Sequence, residues 1–151
     1  NKMKNLFIAI ASLLIFTSCD KDKSLSKKIP GWYTAEKKMD PSGTISGKLT
    51  YYKNGALKIK ATIKEENSGN IKTSLELTAK GTWKVENGYL KENITEIITV
   101  PQSLGDALLE SYKKDHANEI GDKIIHVNKE ELQVQNSKGE INTYKRVGND
   151  N

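Results

Sequence analysis

The chain has 151 residues, 36% of them hydrophobic and 28% charged, which suits one globular domain with its own core and leaves no room for two large ones. The 24 basic residues outnumber the 19 acidic ones, for a formal net charge of +5, and every basic residue but Arg146 is lysine. A domain that reads nucleic acid through arginine forks is therefore not expected, and a single cysteine excludes an internal disulfide or a multi-cysteine metal site.

Asn1 and Lys2 precede Met3, which is taken as the start of the reading. Lys4 is followed by the uncharged run Leu6–Phe16. As a helix this run would rise about 16 Å against roughly 30 Å of bilayer hydrocarbon, so it reads as the core of a secretion signal over residues 3–18 and not as a span. The run ends in Ile15-Phe16-Thr17-Ser18-Cys19, which resembles the bacterial lipobox, with Phe16 where that family usually has leucine. The resemblance implies cleavage before Cys19, a diacylglycerol on its sulfur and acylation of the new amine. It also implies a place in the bacterial cell envelope, held to the outer membrane on its periplasmic or surface-exposed side through the lipid on Cys19. Asp20–Lys28 has one apolar residue, Leu25, and cannot bury itself, so residues 19–28 are expected to form a flexible tether.

From residue 29 the dominant period is two. Leu57, Ile59, Ala61 and Ile63 alternate with Lys58, Lys60, Thr62 and Lys64, the pattern of a strand with one dry and one wet face. The same alternation predicts eight strands: Trp32–Lys38, Thr44–Lys53, Ala56–Glu65, Ile71–Glu86, Tyr89–Val100, Lys123–Asn128, Glu131–Asn136 and Ile141–Val147. Asn54-Gly55 and Asn87-Gly88 are hairpin signals between them, and Gly81 is a natural bulge inside the longest strand. Pro101–Asn118 breaks the pattern. Ser103 offers an N-cap, and Leu104, Leu108 and Tyr112 fall at helical spacing, widened by Ala107 and Ser111.

Eight antiparallel strands joined in sequence can close into a barrel, which removes their edges. Ile29-Pro30-Gly31-Trp32-Tyr33 at the start, Tyr144-Lys145-Arg146-Val147 at the end and the hairpin Gly81–Leu90 resemble the lipocalin-like (calycin) lipoproteins of bacteria. That resemblance implies an all-β, up-and-down barrel over residues 29–148 with one helix between strands five and six. It also implies that Arg146 stacks on Trp32, beside Gly31, to close the barrel. It implies no particular ligand.

Small inward residues, Gly47, Ala61, Thr73, Ala79 and Gly81, leave room inside. The expected cavity lining is Gly47, Leu49, Tyr51, Ile59, Ala61, Leu75, Leu77 and Trp83. Glu92 and Glu96 share a face with Leu90, Ile94 and Ile98. Either both carboxylates point inward and mark a polar pocket or wet mouth, or a bulge turns them out. Lys58, Lys60, Lys64, Lys80 and Lys84 form a basic outer face, read as solvated. His116 and His126 stand at no useful spacing from a nucleophile, so no catalytic residue, metal site or cofactor is expected. The expected function is non-catalytic binding of a small apolar or amphipathic ligand by a monomer. The alternative is an envelope module that binds another protein, as an inhibitor, immunity or assembly factor, with its barrel filled.

Overall fold

A strand that alternates apolar and polar residues buries one face only, and eight such strands in sequence satisfy each other's edges by closing into a ring. The computed structural model, which describes residues 20–38, 43–67, 70–100, 105–117 and 119–149, shows this closure. Residues 3–18, expected to be a secretion signal, and Cys19, Ser103 and Leu104 lie outside the described residues. Helix α1 covers residues 20–28. The strands are β1 (Gly31–Lys38), β2 (Gly43–Tyr51), β3 (Ala56–Asn67), β4 (Asn70–Glu86) and β5 (Tyr89–Val100), followed by helix α2 (Gly105–His116). Strands β6 (Asp122–Val127), β7 (Glu131–Gln135) and β8 (Ile141–Gly148) complete the antiparallel, up-and-down barrel, with β8 paired to β1.

Turn chemistry sets the connections. Asn87 and Gly88 adopt φ of 54° and 80°, the primed turn whose twist matches a tight hairpin. Between β4 and β5 the register slips: Lys80 faces Glu96 while Gly81 faces Ile94, so Thr95 is an extra residue. A Cβ on Gly81 would overlap the Asn93 carbonyl, which is why the bulge sits opposite a glycine. The slip keeps Ile94 inside, 3% exposed, and turns Glu96 out.

The core lies toward the end of the barrel where β1 begins and β8 ends. Tyr33, Tyr51, Leu132 and Val134 are fully buried there. Tyr33 meets Tyr51 edge to face at 5.7 Å, and Tyr51 meets Trp83 at 5.8 Å.

Closure differs from the expected pairing. Gly31 and Tyr33 face inward on β1, whereas Trp32 between them faces out, is 42% exposed and carries the Lys48 ammonium 4.0 Å from its ring centre. Arg146, on the inner face of β8, is paired in register with Tyr33, and its guanidinium lies over that ring at 4.8 Å. The stacking partner of Arg146 is therefore Tyr33 and not Trp32. The guanidinium also donates to three backbone carbonyls, those of Lys28 (2.6 Å), Pro30 (2.8 Å) and Asn128 (3.2 Å). Gly31 lies against this guanidinium, because a Cβ there would stand 2.5 Å from Arg146 Nη1.

Residues 20–28 also depart from the expected flexible tether. They form a helix whose Asp22 carboxylate accepts the Asn87 and Gly88 amides of the β4–β5 turn at 2.7 and 2.8 Å. Ile29 follows fully buried, and the Tyr33 hydroxyl donates to its carbonyl at 2.6 Å. Burial pushes the Tyr33 hydroxyl up to about 12, with Arg146 pulling partly against it. Counting apolar residues missed the helix, because Asp22 docks by hydrogen bonds.

Lysine cannot reproduce a planar fork over a ring with three diverging bonds. Arg146→Lys should cost about 1–3 kcal/mol although charge is kept. In urea-denaturation cycles it should couple to Tyr33→Leu by about 0.5–2 kcal/mol. With Trp32→Leu it should be additive; coupling to Trp32 instead would refute the assignment.

Candidate functional site

The barrel wall is incomplete at one seam. β5 and β6 pair over two positions only, Tyr89 with Lys123 and Leu90 with Asp122. Beyond Leu90 the edge of β5 would be bare, and α2 covers it. Gly105 starts that helix against β5, where a Cβ would come within 2.5 Å of the Ile97 carbonyl. About two helical turns further on, the Tyr112 hydroxyl donates to the Glu92 carbonyl at 3.3 Å and lies within reach of the Ile94 amide. A side chain thus replaces the missing strand at the seam. The packing face of α2 runs through Gly105, Leu109 and Tyr112, with Leu108 part-buried. Ala107 and Ser111, expected to widen this face, are exposed.

Where β5, α2 and β6 meet, a cleft of about 710 Å³ opens, bordered by Trp83, Leu90, Glu92, Tyr112, His116 and Asp122 among others. Gly121 lets the chain pass beside β5, its φ of 98° being one that side chains seldom adopt. The cleft has one apolar side, Trp83 and Leu90, and one polar side. Tyr51 donates its hydroxyl to Glu92 Oε1 at 2.5 Å, which leaves Oε2 for an incoming group. His116 stacks on Tyr112 at 4.3 Å, holds the Tyr112 carbonyl through Nδ1 at 3.0 Å and stands 3.7 Å from Glu119. The flanking lysines are committed elsewhere: Lys84 and Lys91 both pair with Glu86, whose carboxyl they hold below the usual range.

Glu92 and Asp122 make no ion pair among the described residues. Burial pushes the Glu92 carboxyl above its ordinary range, the Tyr51 hydrogen bond opposes that, and Asp122 adds to it. Asp122 is raised by burial first and by Glu119 second. The Tyr144 hydroxyl is held well above its usual range by burial, then by Glu92 and Asp122. The outcome is a protected carboxyl in an aromatic setting, able to bind a hydrogen-bond donor or a cation.

The two carboxylates read from sequence therefore separate. Glu92 points in and Glu96 points out, because the Thr95 bulge lies between them. Of the expected lining residues, Trp83 alone borders the cleft. Leu49, Tyr51 and Trp83 belong to the buried core, with Ile59 and Leu77 packed against it. Gly47, Ala61 and Leu75 are part-buried, further along the barrel from α1, and Gly47 also borders a groove of about 610 Å³ across β8, β1, β2 and β3 with Lys48, Lys60 and Lys145. Asp122 and Tyr112 were not read as site residues, because only the seam brings them beside Glu92. Among the described residues no cluster of three or more His, Cys, Asp or Glu is placed to hold a metal, and no helix is long and apolar enough to cross a membrane. Compared with known families and curated proteins, the chain matches no family model and no curated sequence.

The raised carboxyls fix the sign of a pH effect. The folded chain keeps the Glu92 proton to higher pH than the unfolded chain does, so this contribution to stability is full below the ordinary carboxyl range and is lost as pH rises through the raised value. Glu92→Gln should accordingly be more stable than the parent at neutral pH, and the advantage should vanish in acid. Tyr51→Phe should cost about 1.5–3 kcal/mol at neutral pH and about 1 kcal/mol in the Glu92→Gln background. Urea midpoints across pH decide it, and a Glu92→Gln protein weaker than the parent at neutral pH would contradict the assignment.

Proposed function

We propose that this chain is a lipid-anchored envelope lipoprotein, processed before Cys19, whose lipocalin-like barrel binds a small amphipathic ligand without transforming it. The observation that carries the binding half is the cleft at the β5–α2–β6 seam, where an apolar wall of Trp83 and Leu90 faces the Glu92 carboxyl. Pockets that hold small molecules commonly combine such a wall with a few converging polar groups. The ligand's apolar part would lie on Trp83, and its polar end would meet Glu92 Oε2 and Asp122. Leu6–Phe16 followed by Thr17-Ser18-Cys19 supports the anchoring half. Acyl chains on Cys19, at about 0.8 kcal/mol per buried methylene, would make attachment effectively permanent.

A second reading has its own observation. The end of the barrel where β1 begins is filled by Tyr33, Tyr51 and Trp83, and Ile98 and Val100 stand 44% and 61% exposed on the outer face of β5. A filled barrel with apolar residues on its wall suits a module that binds another envelope protein.

Cys19→Ala should abolish palmitate incorporation and move the protein out of the detergent phase, and a variant that still takes up label would rule out the anchor. Native mass spectrometry of the protein purified from its own membranes should show a small-molecule adduct at one per chain. Asp122→Lys should remove that adduct. A bare parent chain that instead retains a protein partner, lost in Ile98→Glu, would favour the second reading.

A further inference from the structure

We propose that the end of the barrel capped by α1 is a membrane-contact surface for anionic headgroups, with Lys21, Lys23, Lys27 and Lys28 on its outer side and Trp32 and Val147 at its rim. The proposal rests on the lipoprotein reading, since Cys19 directly precedes the helix.

Two contacts fix how α1 lies. Asp22 is held by the amides of the β4–β5 turn, and at the helix's end the Lys28 carbonyl is held by Arg146 of β8. Those anchor points sit on different walls of the barrel, so the helix lies across the barrel end instead of projecting from it. Asp22, Leu25 and Ser26 face the barrel and are part-buried, whereas Lys21, Lys23, Lys27 and Lys28 are all exposed. None of these four lysines makes an ion pair among the described residues, and Asp20 is the one acidic residue on the outer side of the helix. A lipid on Cys19 would hold this end, and no other, at the bilayer.

The rim supplies the second half of the match. Trp32 and Val147, on the paired strands β1 and β8, are 42% and 61% exposed, and the Lys48 ammonium sits over the Trp32 indole at 4.0 Å. An exposed indole among ammonium groups is suited to the headgroup level of a bilayer, where its ring is half in and half out of water. The lysine-rich wall of β2, β3 and β4 is a weaker candidate, because exposed Glu36, Glu76 and Glu96 dilute its charge.

The test uses the mature chain with Cys19→Ser, which carries no lipid, sedimented with vesicles of phosphatidylcholine alone or mixed with phosphatidylglycerol. Binding should appear only with phosphatidylglycerol and should weaken as salt is added. Each of Lys21→Gln, Lys23→Gln, Lys27→Gln and Lys28→Gln should weaken it about five-fold, the equivalent of about 1 kcal/mol per lysine at an anionic surface. The paired change Lys58→Gln and Lys80→Gln on the wall should leave it unchanged. Bromine-labelled lipid should quench the parent and spare Trp32→Phe, since Trp83 is buried. Equal binding to both vesicles, no binding to either, insensitivity to the four α1 changes, or binding to soluble heparin in place of vesicles would each overturn the proposal. Palmitate labelling of Cys19 in cells is a separate measurement, so a failed anchor and a failed contact surface are told apart.

Discussion

The guanidinium of Arg146 holds the architecture at the point where the chain's two ends meet. One side chain lies on Tyr33, takes the carbonyls of Lys28 and Pro30 before the first strand, and takes that of Asn128 in the β6–β7 turn. It thereby ties β8 to β1 and to α1 together. The site needs a planar cation with several divergent donors, and this is the position where a lysine-rich chain uses arginine. Gly31 is the backbone counterpart, since any side chain there would occupy the space of the guanidinium.

The seam between β5 and β6 follows from closure elsewhere. With β6 and β7 five or six residues long and β5 twelve, the short strands cannot cover the long one. The uncovered length must be satisfied by something other than a strand, and α2 with its Tyr112 hydroxyl does this. A helix against a strand edge leaves space that a strand would fill. The cleft occupies that space, and Glu92 is the inward residue at its mouth. Stability and the proposed binding draw on the same gap, since burial holds the carboxyl that gives the cleft its polarity above its ordinary ionisation range.

Much of the barrel was legible because period two and turn residues act locally. β5 matches its predicted limits, and the other strands differ by a few residues at their ends. The bulge was legible at Gly81, but its effect on Glu96 was not, because register is a property of two strands. The Trp32–Arg146 pairing came from a family resemblance, and strand alternation places Tyr33, and not Trp32, on the inner face with Arg146. The composition of residues 20–28 points to a tether, whereas their spacing fits the helix that forms. Asp22, Leu25, Ser26 and Ile29 recur at three and four residues, the period of a docked helix. Asp122 carries no local signal, and Tyr112 shows in the sequence only as part of a helical stripe; their place beside Glu92 arises only from the tertiary seam.

The central claim is that Arg146 locks α1 onto the closed barrel, so that the end following Cys19 is a fixed part of the domain. Native-state hydrogen exchange on the parent and on Arg146→Lys tests it most directly. In the parent, the Ile29 amide, bonded to the Leu25 carbonyl, should be protected together with the β1–β8 ladder. In the variant, protection of α1 and of β1–β8 should fall together while the β3–β4 ladder keeps its own. An α1 that exchanges freely in the parent, or one whose protection is the same in both proteins, would contradict the account.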